Sequence, residues 1–343
     1  MIVASGQAKA FVAAPELAAE AIAQALARAG LQRAEFVLLL LTHDFSRLLP
    51  ETLRCAASAA ACLQISGCTA SGLFTEEGWQ IDQPAAAALV FSGLSKPPTT
   101  TREPLLSLSN QGWLAMDWQY GRRRVGLIES QGEAWNNARP CTDTRCTVAL
   151  PDLPAIPLLA RGLLPLGETL TVSAASGHEL REIDGRAASD SLRQALSEEW
   201  QAPALLHRLQ LLTADDAPAT GILACNADGS LTTAAPIATG ATVRWAIRQA
   251  PAAGQEIRKQ LREARTAARN PAFGLMFSCL GRGPLFYGND DLDRRAFTEN
   301  FPGLPLLGAY GTGQIFPLAD GNRLFSNAVL TLLYENDDVQ SQP

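Results

Sequence analysis

Several patterns that would name a chemistry are missing from this 343-residue chain. No G-x-x-x-x-G-K-[ST] loop occurs, and no G-x-G-x-x-G opens a helix after a strand, which removes the two glycine-rich nucleotide cradles. No G-x-S-x-G elbow is present, which argues against a serine hydrolase. The seven cysteines form no C-x-x-C pair; Cys141 and Cys146 come nearest, with no second pair at ligand spacing. Scattered and odd in number, they fit reduced thiols and a cytoplasmic location. With only three histidines, no His/Glu cluster has metal-ligand spacing. Positive charge is also short: 28 Lys and Arg stand against 34 Asp and Glu, a net charge of −6, which argues against nucleic acid. The one basic knot, Gly121–Arg124 ("GRRR"), reads as a solvated loop or strand edge. No apolar window nears the roughly 20 residues of a membrane span, and the N-terminus lacks the basic-then-apolar order of a signal peptide. Neither membrane insertion nor export is expected.

What is present is a globular chain, 47% hydrophobic and 18% charged, of a length that suggests two domains. The reading is α/β: two related domains with mixed sheets flanked by helices, over residues 1–150 and 151–335. Pro15 to Ala29 has helical apolar spacing and a C-terminal Gly30. "AEFVLLLLTHD" reads as a strand buried on both faces. A helix over about Leu48 to Leu63 follows, then the strands "QISGCTASGLF" and "AAAALVFSGL". From Lys96 to Pro157 only "RVGLIES" reads as a strand, and prolines 151, 154 and 157 mark a stiff connector at the domain boundary. "TLTVSAASGHELREIDGR" is a hairpin, "ASDSLRQALSEEW" a capped helix, and Leu205 to Gln249 a set of short strands. Helices over Gln255–Arg269 and Asp290–Asn300 alternate with the strands "PAFGLMFSCLGRG", "LPLLGAYGTGQIFP" and "LFSNAVLTLLY".

The two ends of the chain match in order. "FVLLLLTHDFSR" leads through a helix to "ISGCTASGLF" and "AAAALVFSGL"; "FGLMFSCLGRGP" leads through a helix to "LLGAYGTGQIF" and "NAVLTLLY". This is the signal of an internal duplication. Gly67 and Gly72 then correspond to Gly308 and Gly313. Glycines inside strands mark bends or close approach by a backbone or ligand. Here two readings stay open: bent hairpins crossing in the core, or bends facing one cleft.

These same segments resemble the FIST family of bacterial small-ligand sensory proteins. "FSCLGRG", "LPLLGAYGTGQIFP" and "NAVLTLLY" resemble its C-terminal half, "RGLLPLGETLTVSAASGHELREIDGRAA" the joint where that half begins, and "ISGCTASGLF" its N-terminal half. The resemblance implies FIST N-like and FIST C-like domains. It implies a signal-transduction role, binding an amino-acid-like metabolite and reporting to a separate signalling protein. Some relatives look like haem-dependent gas sensors. Gln314 departs from the pattern, standing where the family commonly has Glu.

Candidate ligand-binding residues follow from both lines. They are His43, Asp44, Gly67, Cys68, Thr69, Ser71 and Gly72 in the first copy, and Cys279, Gly281, Arg282, Gly308, Tyr310, Thr312 and Gln314 in the second. His43 and Cys279 fall at the carboxyl ends of buried strands, where α/β sheets place ligands. Arg282 suits a carboxylate, although a salt bridge within the domain is the alternative. Two further readings remain beside the sensor: a cysteine-dependent enzyme acting on a carbonyl or amide through Cys279 with His43, and a non-covalent haem with His43 as axial ligand. His178 and His207 read as turn and edge residues, and Asp215-Asp216 and Asp290-Asp291 as turn and cap acids.

Overall fold

The computed structural model describes residues 1–196, 203–213 and 217–336. Asp215, Asp216 and the end of "ASDSLRQALSEEW" lie outside the described residues. Two compact units form: Met1–Ala160 with Ile257–Pro343, and Arg161–Glu256.

The first unit begins with β1 (Ile2–Lys9), α1 (Glu16–Ala29), β2 (Phe36–Thr42), a 3-10 turn (His43–Leu48), α2 (Leu49–Ala60), β3 (Ile65–Ala70), β4 (Gly72–Thr75), β5 (Gly78–Ile81) and β6 (Ala85–Ser92). It continues through β7 (Leu105–Ser109), α3 (Met116–Gln119), β8 (Arg124–Ile128), β9 (Ala134–Asn136), β10 (Arg139–Pro140), β11 (Arg145–Thr147) and β12 (Ala155–Ala160). Helix α1 buries Leu17, Ala21, Ile22, Ala25 and Leu26 on one stripe, and Gly30 ends it at φ 65. All seven residues of β2 are buried, as its unbroken apolar run requires.

The second unit holds β13 (Leu163–Ser176), β14 (Glu179–Ile183), β15 (Arg186–Ala187), α4 (Ala188–Ala195), a 3-10 turn (Pro203–Arg208), β16 (Leu209–Leu212), β17 (Thr220–Cys225), β18 (Leu231–Thr233) and β19 (Thr242–Arg248). Its strand order is β13-β19-β16-β17-β18-β14-β15, and β13 also pairs with β14, so the ribbon closes on itself. Leu180, Leu211, Leu231 and Trp245 fill its interior, and the Trp245 indole donates to Ser191 of α4 at 3.1 Å. Helix α4 begins after Ala187 without the side-chain cap its Ser and Asp suggest.

Helix α5 (Ala250–Ala267) crosses the division in sequence; β20 (Pro271–Cys279), α6 (Pro284–Tyr287), α7 (Leu292–Asn300), β21 (Leu306–Gly311), β22 (Gly313–Leu318), β23 (Gly321–Phe325) and β24 (Val329–Glu335) complete the first unit. The unit's three sheets run β1-β6-β2-β3-β9-β10, β12-β24-β20-β21-β4-β5 and β11-β7-β8-β22-β23. The first two face each other across one apolar layer, where Phe36, Leu38, Leu40 and Phe91 meet Leu275, Phe277, Leu307 and Leu330. Helices α1 and α2 cover the outer face of one, and α5 and α7 that of the other. The class is α/β with mixed sheets, as expected.

The stretch from Lys96 to Pro157 holds more structure than its sequence suggests. It contributes the buried strand β7, and β12 starts inside the proline-marked segment. Pro157 is tolerated there because β12 is an edge strand paired only with β24. The two units divide the chain at different places from the expected 150/151 boundary, because β12 and β20–β24 pack with the N-terminal strands. No described helix is long and apolar enough to cross a membrane.

The glycine-rich segments are the joints between sheets. At Ser71 the chain leaves β3 for β4, which joins the second sheet opposite β21, with Gly72 facing Tyr310. At Thr312 it leaves β21 for β22, which joins the third sheet beside β8. A Cβ on Gly67 would stand 1.7 Å from the Leu39 carbonyl oxygen, and one on Gly308 would stand 2.1 Å from the Phe74 ring. The glycines therefore let one backbone or ring lie against the next.

Candidate functional site

Two pairs of parallel strands end side by side. His43 follows β2 and Ser71 follows β3; Cys279 ends β20 and Thr312 follows β21. The Ser71 amide donates to the Tyr310 carbonyl at 3.1 Å, so the bend after β3 lies against β21. The carboxyl ends of parallel strands leave main-chain and side-chain polar groups unpaired by the sheet, which is why ligands collect there.

Glu129, just after β8, organises this end of the unit. Its side chain is 1% exposed. One carboxylate oxygen accepts from the Ser71 hydroxyl at 2.6 Å and amide at 2.9 Å and lies 3.4 Å from His43 Nε2; the other accepts from the Ser130 amide at 2.8 Å. Burial opposes its ionisation, but the hydrogen bonds from His43, Ser71 and Ser130 outweigh that and hold it below the usual carboxylate range. Its charge is kept inside the protein by donors.

The imidazole of His43, 24% exposed, bridges this carboxylate to Thr69, whose Oγ1 lies 3.2 Å from Nδ1. Asn110, 5% exposed, donates from its amide nitrogen to the Thr69 carbonyl at 2.9 Å, Thr69 Oγ1 at 3.1 Å and the Gln131 carbonyl at 2.9 Å. Its oxygen has no partner among the described residues. The cluster closes around Gly132 at φ +115, where a Cβ would stand 2.0 Å from Thr69 Oγ1 and 2.8 Å from His43 Nδ1. Only glycine fits that position.

From Ile128, beside Glu129, hydrogen bonds run on to the second pair. The Thr312 amide and hydroxyl donate to the Ile128 carbonyl at 3.0 and 3.1 Å, and the Cys279 thiol faces the Thr312 carbonyl at 3.8 Å and Asn327 at 4.0 Å. The fully buried Gln314 amide satisfies its surroundings with its nitrogen on the Ala328 and Phe325 carbonyls and its oxygen on the Cys279 amide. It fixes the backbone around Cys279.

The fold thus gathers His43, Thr69, Ser71, Cys279, Thr312 and Gln314 into one polar region. Asp44 shares the His43 turn but is exposed, accepting from the Thr42 hydroxyl at 2.8 Å. Gly67, Gly72 and Gly308 are packing positions, and Gly281 lies exposed in the turn after β20. Burial first, then the neighbouring Cys146 and Glu129, push the Cys68 thiol well up, which keeps it protonated. No hydrogen bond joins Cys279 to His43 among the described residues. Both imidazole nitrogens of His43 are engaged, so an axial bond to a haem iron would break one of them.

Arg282 and Tyr310 lie in a separate buried cluster. Arg282, 1% exposed, grips Asp293 with two donors at 2.8 and 3.1 Å and donates to the Ala160 carbonyl at 3.2 Å. The Tyr310 hydroxyl donates to Asp291, which also caps α7 through the amides of Asp293 and Arg294. Arg282 therefore makes the internal salt bridge that stood as its alternative reading.

Glu129, Asn110 and Gly132 escaped the sequence reading. Glu129 carried one usable sign, an acid directly after the apolar run "VGLI", the same sign that marked His43. Asn110 and Gly132 lie in stretches with no periodicity to place them.

Residues 165–317 match the family model of the FIST C domain, a domain associated with sensory signal transduction. An uncharacterised protein of Mycobacterium bovis is 31% identical over 207 residues, covering 55% of this chain and 53% of the relative. An uncharacterised protein of Mycobacterium tuberculosis matches to the same extent, and another is 29% identical over 191 residues, 52% of this chain and 50% of its own. The chain spans about half the length of the curated relatives it matches. Residues 165–317 are therefore FIST C-like, which supports a resemblance of the chain to the FIST proteins.

Proposed function

We propose that this chain is a cytoplasmic sensory protein that binds a small polar metabolite with an amino group at the His43–Glu129 cluster and signals to a separate partner. One observation carries the reading: a buried, ionised Glu129 is linked through His43 and Thr69 to Asn110, whose side-chain oxygen lacks a donor. A buried acceptor without a partner costs roughly 1–3 kcal/mol, which a ligand N–H group recovers. Acceptors of this kind favour an ammonium group, so an amino-acid-like ligand fits better than a simple carboxylate.

The matching orders β1-β6-β2-β3 and β12-β24-β20-β21 support an internal duplication, with FIST N-like character over residues 1–150 and FIST C-like character over 151–335. The contact of the Ser71 bend with Tyr310 of β21 supplies a route for reporting occupancy. A ligand shifts such a joint only by binding one arrangement more tightly.

Thermal-shift screening against amino acids, amines and organic acids tests the reading. A ligand at about 100 times its Kd adds about 2.7 kcal/mol to stability, and Glu129→Gln removes that gain for an amine. A gain that survives in Glu129→Gln, or that acetate alone produces, overturns the assignment.

A further inference from the structure

The crossover between β7 and β8 carries exposed apolar side chains that the ligand site does not use. Trp113 is 62% exposed, Met116 77% and Tyr120 57%. They stand on an anchored element. Trp118 of α3 is 5% exposed, with the guanidinium carbons of Arg124 and Arg145 at 4.7 and 5.3 Å from its ring centre. The Trp118 carbonyl also accepts from Asn322 at 2.7 Å. Met116 and Tyr120 lie two residues either side of this inward ring, which turns them outward. Large aromatic, methionine and arginine side chains held rigidly at a surface are the residues that carry binding energy in protein interfaces.

The charges around them are of both signs. Arg122 pairs with Glu103 at 2.9 Å, and Arg145 pairs with Asp117 at 2.7 Å and Asp143 at 2.7 Å. The Arg123 side chain makes no hydrogen bond or salt bridge among the described residues, its charge acting on Glu103 from further off, while Asp117 keeps 61% of its side chain exposed. An anionic membrane or a nucleic acid would meet Asp117, Asp143 and Glu103 along with the arginines, on a chain of net charge −6. A two-fold contact places the same patch on both partners. It then supplies both an acid within salt-bridge reach of Arg123 and a second apolar centre to cover the first.

The geometry points to a self-complementary docking surface for a second copy of this chain, centred on Trp113, Met116 and Tyr120, with Arg123 of each copy against Asp117 of the other. This rests on the crossover alone and stands whether or not the His43–Glu129 cluster binds an amine.

Sedimentation equilibrium of the whole chain from about 1 to about 100 µM tests it, with thermal melts to confirm that each exposed-site variant folds. The expected result is a monomer–dimer equilibrium weakened by added salt and weakened at least about tenfold in the W113S/M116S double variant. R123E and D117K each weaken self-association by placing like charges together, and mixing the two variants restores the dimer. A wild-type chain that stays monomeric throughout overturns the proposal, as does a dimer indifferent to W113S/M116S. Failure of the mixture to restore pairing removes the crossed contact. Binding of a monomer to phosphatidylserine vesicles assigns the patch to a membrane instead.

Discussion

Two buried acidic clusters lie in the same unit and have opposite endings. Around Asp291 and Asp293 the carboxylates meet Arg282, Tyr287, Tyr310 and the first amides of α7, at a place where Arg282, Asp291 and Asp293 are all 1% exposed or less. Around Glu129 the donors are hydroxyls, amides and one imidazole that reaches solvent, and the oxygen of Asn110, joined to that imidazole through Thr69, lacks a donor. A full-strength cation and closure make the first a brace. A partly exposed imidazole and an unmet acceptor set the second apart, and it is there that we propose a ligand binds. Burial of a carboxylate alone does not separate structure from function; the groups left over do.

The largest test of this contrast is Arg282→Ala. It leaves Asp293 buried without its cation, and a loss of about 3–5 kcal/mol of stability is expected, read as a fall in the denaturant midpoint. A loss near that of a surface residue would show that the brace is not one. Next is Asp291. Burial and the neighbouring Asp293 raise its pKa from 3.8 to about 6. The folded chain therefore holds a proton that the unfolded chain has released. The stability from that proton is complete below about 3.8 and is lost as pH rises through about 6. Asp291→Asn should flatten the decline in stability between about pH 4 and pH 6; an unchanged slope assigns the decline to other groups. The smallest stability effect belongs to His43→Gln. The imidazole is partly exposed, the Ser71 and Ser130 donors to Glu129 remain, and glutamine keeps an N–H donor, so a loss of no more than about 1 kcal/mol is expected and melting should move little while any ligand-induced shift changes. A large drop in stability with an unaltered ligand response would place His43 with the braces.

Much of the architecture was legible because it rests on local patterns. The run "FVLLLLT" is a strand buried on both faces, and the spacing from Leu17 to Leu26 makes one helix stripe. The glycines of "ISGCTASGLF" and "LLGAYGTGQIF" marked bends, and each bend moves the chain between sheets. The site was only half legible. His43, Thr69, Ser71, Cys279 and Thr312 were visible at strand ends. Glu129 and Asn110 were hidden in a stretch whose short strands owe their pairing to distant partners, Gly313–Ile315 in the case of β8. Arg282 shows the reverse: its guanidinium suited a ligand carboxylate, yet Asp293, eleven residues on, takes that role inside the core.

By itself, the sequence determined which segments are apolar enough to be buried, where glycine frees the backbone to bend, and which polar residues terminate the strands. Those properties are local, set by each side chain and its near neighbours. Tertiary structure alone decided which charge meets which. Coulomb and hydrogen-bond energies depend on distances between chain-remote groups and on the water excluded around them. That is why Glu129 came to face His43 across more than eighty residues of sequence.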